Sequence, residues 1–466
     1  MDLKGKKVLV VGLGKSGLAA ALFLRRQGAQ VTVSDVRSAE ALAKDIPALL
    51  EEGINVEAGG HGLLTFRRQD LIVVSPGVPL DTPELVQTRN FGRPVIGELE
   101  LAARFLKGNV LAITGSNGKT TTTTLVGEIL EQAGLPTLVG GNIGVPVIDL
   151  IDPSKEEAWS VLEVSSFQLE STEEFRPKIA VILNITPDHL DRHGTFENYA
   201  LAKERIFAAQ TADDCLVLNA DNARTAAAAE RAKSRVYWFS LDRVVPQGAW
   251  VESGQVVFRA SKGAPVETIL PLANIPLKGE HNVENVLAAV CAARLAGAPA
   301  SAVREAVEKF KAVEHRLEFV STINGVEFYN DSKATNVDAT AKAIAAFSGG
   351  IHLILGGKDK NSDYTQLSQL LRERVRAVYT IGSAAAKIES HLRGVISLHS
   401  CETLAKAVTA AATAARPGEI VLLAPACSSF DQFDSYEHRG RVFKQLVAEW
   451  KISSGLPTGG MHAKSS

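Results

Sequence analysis

The sequence predicts an α/β protein of several domains, and three observations predict it. Short apolar runs alternate with helical patterns along most of the chain, the signature of parallel sheets joined by crossover helices. Two glycine-rich turns, Gly12–Gly17 and Gly115–Thr120, each follow such a run and open a helical pattern. At 466 residues the chain is too long for one core, so length asks for roughly two to four domains.

Taken in order, Val8–Val11 reads as a strand, Leu18–Gln27 as a helix, and Gln30–Ser34 and Asp70–Ser75 as further strands. The pattern pauses near Pro94-Val95-Ile96-Gly97. A second series opens with strand Val110–Thr114 and helix Thr121–Ala133, then strands Ser160–Val164 and Ile179–Asn184. From Val236 to Leu272 the texture changes to short aromatic and β-branched runs (Val236–Phe239, Trp250-Val251, Val256–Phe258) broken by glycine and proline. That texture predicts a small antiparallel subsheet inserted in the central domain. Asn285–Ala298 is an Ala-rich helix closed by Gly297 and Pro299. A third series starts near His315: Glu318–Ser321 and Glu327–Tyr329 flank Asn324-Gly325, a hairpin signal. His352–Leu355, Ala377–Ile381, Val395–Leu398 and Ile420–Ala424 follow as strands. The expected divisions are 1–97, 98–313 and 314–452, with 453–466 a disordered tail rich in Gly and Ser.

Composition narrows the function. Hydrophobic content of 45% and charged content of 22% are those of an ordinary globular protein. A net charge of −2 gives no global electrostatic case for nucleic acid or an anionic membrane. Cys215, Cys291, Cys401 and Cys427 lie far apart, without a CxxC pair, so free thiols are expected rather than a zinc site or disulfides. No apolar run approaches the roughly 18 residues that span a bilayer, and the N-terminal run is too short for a signal peptide. A cytoplasmic enzyme is expected, with neither nucleic acid nor membrane insertion.

The central glycine loop carries the strongest chemical signal. Gly115-Ser116-Asn117-Gly118-Lys119-Thr120 sits between a strand and a helix, the context a phosphate loop needs. Glycines let backbone N–H groups surround phosphate oxygens, and the helix N-terminus adds positive potential. Lys119 would reach the terminal phosphates, and Thr120 would bind Mg²⁺. The spacing is TGxxGKT, shorter than the general GxxxxGKT. The first loop, Gly12-Leu13-Gly14-Lys15-Ser16-Gly17 with Asp35 ending the next strand, fits a dinucleotide fingerprint. A different nucleotide diphosphate, or a purely structural turn, fits the same residues.

Other polar residues sit at strand ends, where ligand sites of parallel sheets form. Glu163 ends a buried strand and suits a metal beside a phosphate loop, or a cap. His189, just past Ile179–Asn184, reads equally as a ligand or a structural histidine. Lys203 reads by composition as a solvated surface lysine. Asp331–Asn336, Gly356–Lys360 and Ala426–Phe433 are three polar loops, each after an apolar run, and together they suit an anionic, amine-bearing ligand.

TGSNGKT, EVSSFQL, NITPDHLDRH, GEHNVENVLAA, EHRLE, DSKATN, GGKDK and PACSSFDQF, in this order, resemble the Mur ligases up to about Trp450. DSKATN and PACSSFDQF resemble the branch that adds D-glutamate. The resemblance implies Rossmann-like first and third domains around a P-loop ATPase-like centre. It implies ATP-dependent joining of D-glutamate to UDP-N-acetylmuramoyl-L-alanine through an acyl phosphate, by a cytoplasmic monomer using two Mg²⁺ ions. Catalysis would fall to Lys119, Glu163, His189 and Lys203, the last a carbamate. Thr120, Glu163, His189 and carbamylated Lys203 would hold metal. ATP would meet Gly115, Ser116, Asn117, Gly118, Lys119, Thr120 and Thr121, with Asn282, Asn285, Arg316 and Asp331. The uridine substrate would meet Gly14, Lys15, Ser16, Asp35, Arg37, Ser75 and Asn142, so that the first glycine loop holds a UDP diphosphate rather than NAD. D-glutamate would meet Lys333, Thr335, Lys360, Ser429, Phe430 and Tyr436, with Lys358 competing for the role of Lys360.

Overall fold

A computed structural model of the chain describes residues 1–311 and 313–453; the expected disordered tail, apart from its first residue, lies outside them. Among the described residues, twenty strands form three sheets. The first holds β1 (Lys7–Val11), β2 (Gln30–Asp35), β3 (Asn55–Ala58), β4 (Leu71–Val74) and β5 (Val95–Gly97), all parallel in the order β3-β2-β1-β4-β5. Val95–Gly97, where the sequence pattern pauses, is thus an edge strand of three residues, too short to show a periodicity.

The second sheet holds β6 (Asn109–Thr114), β7 (Thr137–Gly141), β8 (Trp159–Glu163), β9 (Ile179–Ile182), β10 (Cys215–Asn219), β11 (Arg235–Ser240), β12 (Gly248–Glu252), β13 (Gln255–Arg259) and β14 (Glu267–Pro271). Their order is β14-β13-β12-β11-β10-β9-β6-β8-β7. Only β13 and β14 run antiparallel to their neighbours. Val236–Phe239 therefore differs from expectation: it lies in β11, parallel to both β10 and β12, and the antiparallel strands extend the main sheet's edge. Glycine and proline breaks report turns, and do not report which edge a strand joins. The third sheet holds β15 (Glu318–Ile323), β16 (Val326–Asn330), β17 (Ile351–Gly356), β18 (Val375–Ile381), β19 (Ser397–Glu402) and β20 (Ile420–Leu423), ordered β15-β16-β20-β17-β18-β19. Only the β15–β16 hairpin is antiparallel. β19 begins at Ser397 rather than at Val395.

The chain packs as two compact units. One comprises 1–185, 195–275 and 284–309; the other comprises 186–194, 276–283 and 310 onward. In the first unit, one apolar cluster runs from Val8, Val10 and Leu24 through Leu99 and Leu101 to Ala112, Leu162 and Ile182. Phe23 and Phe105 meet edge to face at 5.2 Å within it. The first two sheets therefore share a core, which fixes their strand ends relative to each other. In the second unit the third sheet carries a cluster on each face, one around Leu353, Leu355 and Leu422 and one around Ile354, Val421 and Leu423. Neighbouring residues on one strand divide between the faces, as a pleated strand requires. All four cysteines are free and buried. No helix among the described residues is long and apolar enough to cross a membrane.

Candidate active site

β1 delivers the first glycine loop. Gly12 has φ +89°, and a Cβ on Gly17 would lie 1.9 Å from the Gly12 carbonyl oxygen, so helix and turn meet backbone to backbone. Helix Lys15–Arg26 starts from Gly14 with no acid in its first turn, leaving its N-terminal potential for an anion. Asp35, at the end of β2, accepts from the Leu13 N–H at 2.7 Å and from the Arg37 guanidinium at 2.8 Å. Burial works to raise the Asp35 carboxyl, but Arg37 and the two backbone donors outweigh it and hold it at about 2. Ser75, after β4, donates to the Gly12 carbonyl at 2.7 Å.

These residues open on a cavity of about 610 Å³. Gly14, Lys15, Ser16, Asp35, Arg37, Ser75 and Asn142 all line it, so seven residues scattered over the sequence become one wall. Asn142 arrives from the second sheet, on the loop after β7, and the Lys15 ammonium donates to the Gly144 carbonyl of that loop. His61 and Gln168 are among the lining residues that the sequence reading did not assign. His61 is held by Ser34 Oγ at 2.7 Å. Gln168 closes a capping box with Ser165, a pattern visible in EVSSFQL.

The central loop follows β6. Gly118 has φ +87°, and a Cβ there would lie 2.0 Å from Asn285 Oδ1, so glycine is required on both counts. The Asn184 side chain accepts from the Asn117 N–H at 2.8 Å, and Ser116 Oγ meets the Tyr199 hydroxyl at 3.0 Å. Helix Lys119–Gln132 points its N-terminus at the loop. Lys119 Nζ lies 2.7 Å from the Gly115 carbonyl and 3.0 Å from that of Ser116. Lys203 Nζ donates to the same Gly115 carbonyl at 2.9 Å and sits 4.6 Å over the Tyr199 ring.

Lys203 is 1% exposed. The solvated surface lysine expected from composition is therefore wrong: tertiary packing turns the inner face of helix Phe196–Glu204 onto the loop. Thr120 Oγ1 donates to Glu163 Oε2 at 2.7 Å, and Asn142 Nδ2 donates to Glu163 Oε1 at 3.0 Å. One carboxylate thus touches both the phosphate-loop threonine and a wall of the first cavity. A buried hydroxyl and a carboxylate are hard oxygen donors, which fits Mg²⁺.

The second unit gathers the remaining residues. His189, at φ +53°, caps a short helix, and its imidazole lies 3.6 Å from the Asp188 carboxylate. Asp188 also accepts from Asn336 at 3.0 Å and pairs with Lys360 at 3.6 Å. Lys333 Nζ lies 5.1 Å over the Tyr436 ring, and the Thr335 N–H donates to the Lys333 carbonyl at 2.8 Å. Ser429 is buried and Phe430 is exposed. Lys358 pairs backbone to backbone with Ser428, so two of the polar loops zip together. Burial pushes the Asp331 carboxyl up to about 6, against the charge of Arg316. Arg316 Nε is buried with no hydrogen-bond partner among the described residues. Asn282 donates to the Lys278 carbonyl at 2.7 Å. Burial, with Lys342 and Arg316 nearby, drives His281 down to about 3, so it is neutral; it lies within GEHNVENVLAA, although no role was assigned to it.

The chain matches three family descriptions: "Mur ligase MurD-like, N-terminal domain" over 6–97, "Mur ligase middle domain" over 113–293, and "Mur ligase, glutamate ligase domain" over 315–427. It is 73% identical to a UDP-N-acetylmuramoylalanine–D-glutamate ligase of Acidobacterium capsulatum, over 97% of this chain and 100% of that protein. An enzyme of the same name from Koribacter versatilis is 61% identical, over 96% and 98%. Among solved structures, a pseudomurein peptide ligase from Methanothermus fervidus aligns with TM-score 0.61 at 20% identity, over 96% of this chain and all of that one. A UDP-N-acetylmuramate-alanine ligase from Thermotoga maritima gives 0.59 at 21% identity, over 96% and 100%. These two share the fold.

Proposed function

The chain belongs to the Mur ligase family, and we propose that it is an ATP-dependent ligase joining D-glutamate to UDP-N-acetylmuramoyl-L-alanine in peptidoglycan precursor synthesis. The observation that carries this reading is the junction at Glu163, whose carboxylate touches Thr120 of the phosphate loop and Asn142 of the first cavity. A uridine nucleotide held by the first glycine loop would present its free carboxylate next to the γ-phosphate of ATP.

A carboxylate is a poor electrophile, so the reaction starts by making it a better one. The carboxylate oxygen attacks the γ-phosphorus, ADP leaves, and an acyl phosphate forms. The amine of D-glutamate then attacks the acyl carbon, and the tetrahedral adduct expels phosphate to leave an amide. Two anions must approach in the first step, so charge neutralisation is the main demand. We assign Gly115–Thr121 with Asn282, Asn285, Arg316 and Asp331 to ATP. Lys119 neutralises the terminal phosphates. Thr120 and Glu163 are the proposed ligands of one Mg²⁺, which would supply further positive charge. Lys203, as a carbamate, would offer an anionic oxygen to a second ion. His189 is proposed as an imidazole metal ligand on the strength of NITPDHLDRH.

Gly14, Lys15, Ser16, Asp35, Arg37, Ser75 and Asn142 are assigned to the uridine substrate, and Lys333, Thr335, Lys360, Ser429, Phe430 and Tyr436 to D-glutamate. In domain terms, 1–97 takes the uridine substrate, 98–313 ATP and 314–452 the amino acid. One chain carries every assigned residue, so a monomer in the cytoplasm is the proposed working form. The deciding experiment offers D-glutamate, L-lysine, meso-diaminopimelate and L-alanine as amine donors with ATP and UDP-N-acetylmuramoyl-L-alanine. Product with D-glutamate is expected; ADP release at one rate whatever the donor would overturn the reading.

A further inference from the structure

The third sheet ends in three polar loops, after β16, β17 and β20, and one side chain lies among all of them. Arg439 is completely buried. Its Nε donates to Ser332 Oγ at 2.9 Å, Nη2 to the Ser332 carbonyl at 2.8 Å, and Nη1 and Nη2 to the Cys427 carbonyl at 3.1 Å each. Nη1 also lies 3.4 Å from the Ser428 carbonyl. A Cβ on Gly357, in the remaining loop, would stand 3.1 Å from Nη1 and 2.3 Å from the Ser428 carbonyl oxygen.

We propose that Arg439 is a positioning residue for the amino-acid substrate, its guanidinium setting the three strand-end loops in the arrangement that receives an anionic amino acid. The proposal rests on the D-glutamate assignment above. The loop residues that Arg439 holds lie beside assigned ones: Ser332 precedes Lys333, Ser428 precedes Ser429, and Cys427 stands two residues before Ser429. Ser332 Oγ passes the contact on, donating to the Tyr436 carbonyl at 2.8 Å.

The acceptors are the second argument. They are carbonyls and a hydroxyl, all neutral, and no carboxylate hydrogen-bonds this guanidinium among the described residues. Burying an unpaired cation is expensive, and an apolar residue of similar size is often at least as stabilising. Burial pushes Arg439 down to about 10, which still leaves it charged at neutral pH. What a guanidinium gives that an apolar side chain lacks is a rigid planar fork that fixes several carbonyls at once. It also leaves net positive potential beneath loops assigned to a dicarboxylate.

The test is steady-state kinetics on Arg439→Met and Arg439→Lys in the full-length chain. Arg439→Met is expected to raise KM for D-glutamate at least about tenfold. KM for the uridine nucleotide, whose assigned residues lie in the other unit, should stay within about twofold, and Arg439→Lys should fall between. A folded Arg439→Met with unchanged KM for D-glutamate, or with all KM values rising in parallel, overturns the proposal. If Arg439→Met does not fold, Ser332→Ala decides: it deletes the relay to Tyr436, and about a threefold rise in KM for D-glutamate alone is expected, whereas no change overturns the idea. Should the wild-type chain use another amino acid, the substrate assignment fails, and the same KM split read with that amino acid still tests Arg439.

Discussion

The two glycine loops are built alike and have different surroundings. Each follows a parallel strand, opens a helix and points N–H groups at a ligand position. Around Gly12–Gly17 the neighbouring strand ends supply Asp35 with its own arginine, a paired and nearly neutral floor beneath a roomy cavity. Around Gly115–Thr120 a strand end supplies Glu163 against the threonine, while two lysines, Lys119 of the loop's own helix and Lys203 of helix Phe196–Glu204, meet on one carbonyl. On the proposed assignment anion binding comes from the shared turn, and chemistry comes from what the neighbouring elements place beside it. On the same proposed assignment the first loop holds a diphosphate and the second transfers a phosphoryl group.

The largest effect that would sharpen this contrast is Lys119→Ala. ADP formation should fall by about 10³-fold, because phosphate charge is left uncompensated, while uridine-nucleotide binding by calorimetry is retained; wild-type turnover would break the contrast. Lys203→Ala should lose about 10²-fold or more, with part of the rate restored by formate, which supplies the missing carboxylate. Full activity without rescue would remove Lys203 from the chemistry.

Stability tests the turns themselves. Gly17→Ala forces a Cβ against the Gly12 carbonyl and should cost about 4 kcal/mol in urea unfolding. Gly14→Ala meets nothing within 4 Å and should cost under about 1 kcal/mol. Equal losses would show that backbone packing does not distinguish the two positions.

The smallest effect concerns the link between the loops. Glu98, fully buried, accepts from the Ile148 N–H at 2.9 Å, just after the loop that brings Asn142 and Gly144 to the first cavity. Burial, opposed by that bond and helped by Asp149, raises its carboxyl from 4.5 to about 7. The native state therefore binds this proton more tightly than the unfolded chain does. Stability from this group is fully present below about 4.5 and falls as pH rises towards 7. The shift corresponds to about 3 kcal/mol, and an unpartnered amide nitrogen in Glu98→Gln would offset about 1 kcal/mol. The variant should thus gain about 2 kcal/mol at pH 8 and lose about 1 kcal/mol at pH 4; equal changes at both would contradict the assignment.

Much of this was legible in advance because it is local. A strand, a glycine turn and a helix N-terminus are consecutive residues, so both loops and the parallel sheets follow from spacing. The three polar loops of the third sheet were legible for the same reason. Val95–Gly97 was not, because three residues carry no period. The place of Val236–Phe239 was not, because strand order depends on partners far along the chain. Lys203 was misread from composition, since helix Phe196–Glu204 shows little amphipathic pattern to say which face turns inward.

The sequence by itself determined the α/β class, the two glycine turns between strand and helix and the polar strand ends, all short-range features whose physics lies in the backbone turn. Only the tertiary structure decided that Glu163 bridges Thr120 and Asn142, that Lys203 is buried on the Gly115 carbonyl, and that Arg439 binds two of the third-sheet loops and packs against the third. Each of those contacts joins residues far apart along the chain. A charged side chain announces its partner only when folding has removed the water that would otherwise satisfy it.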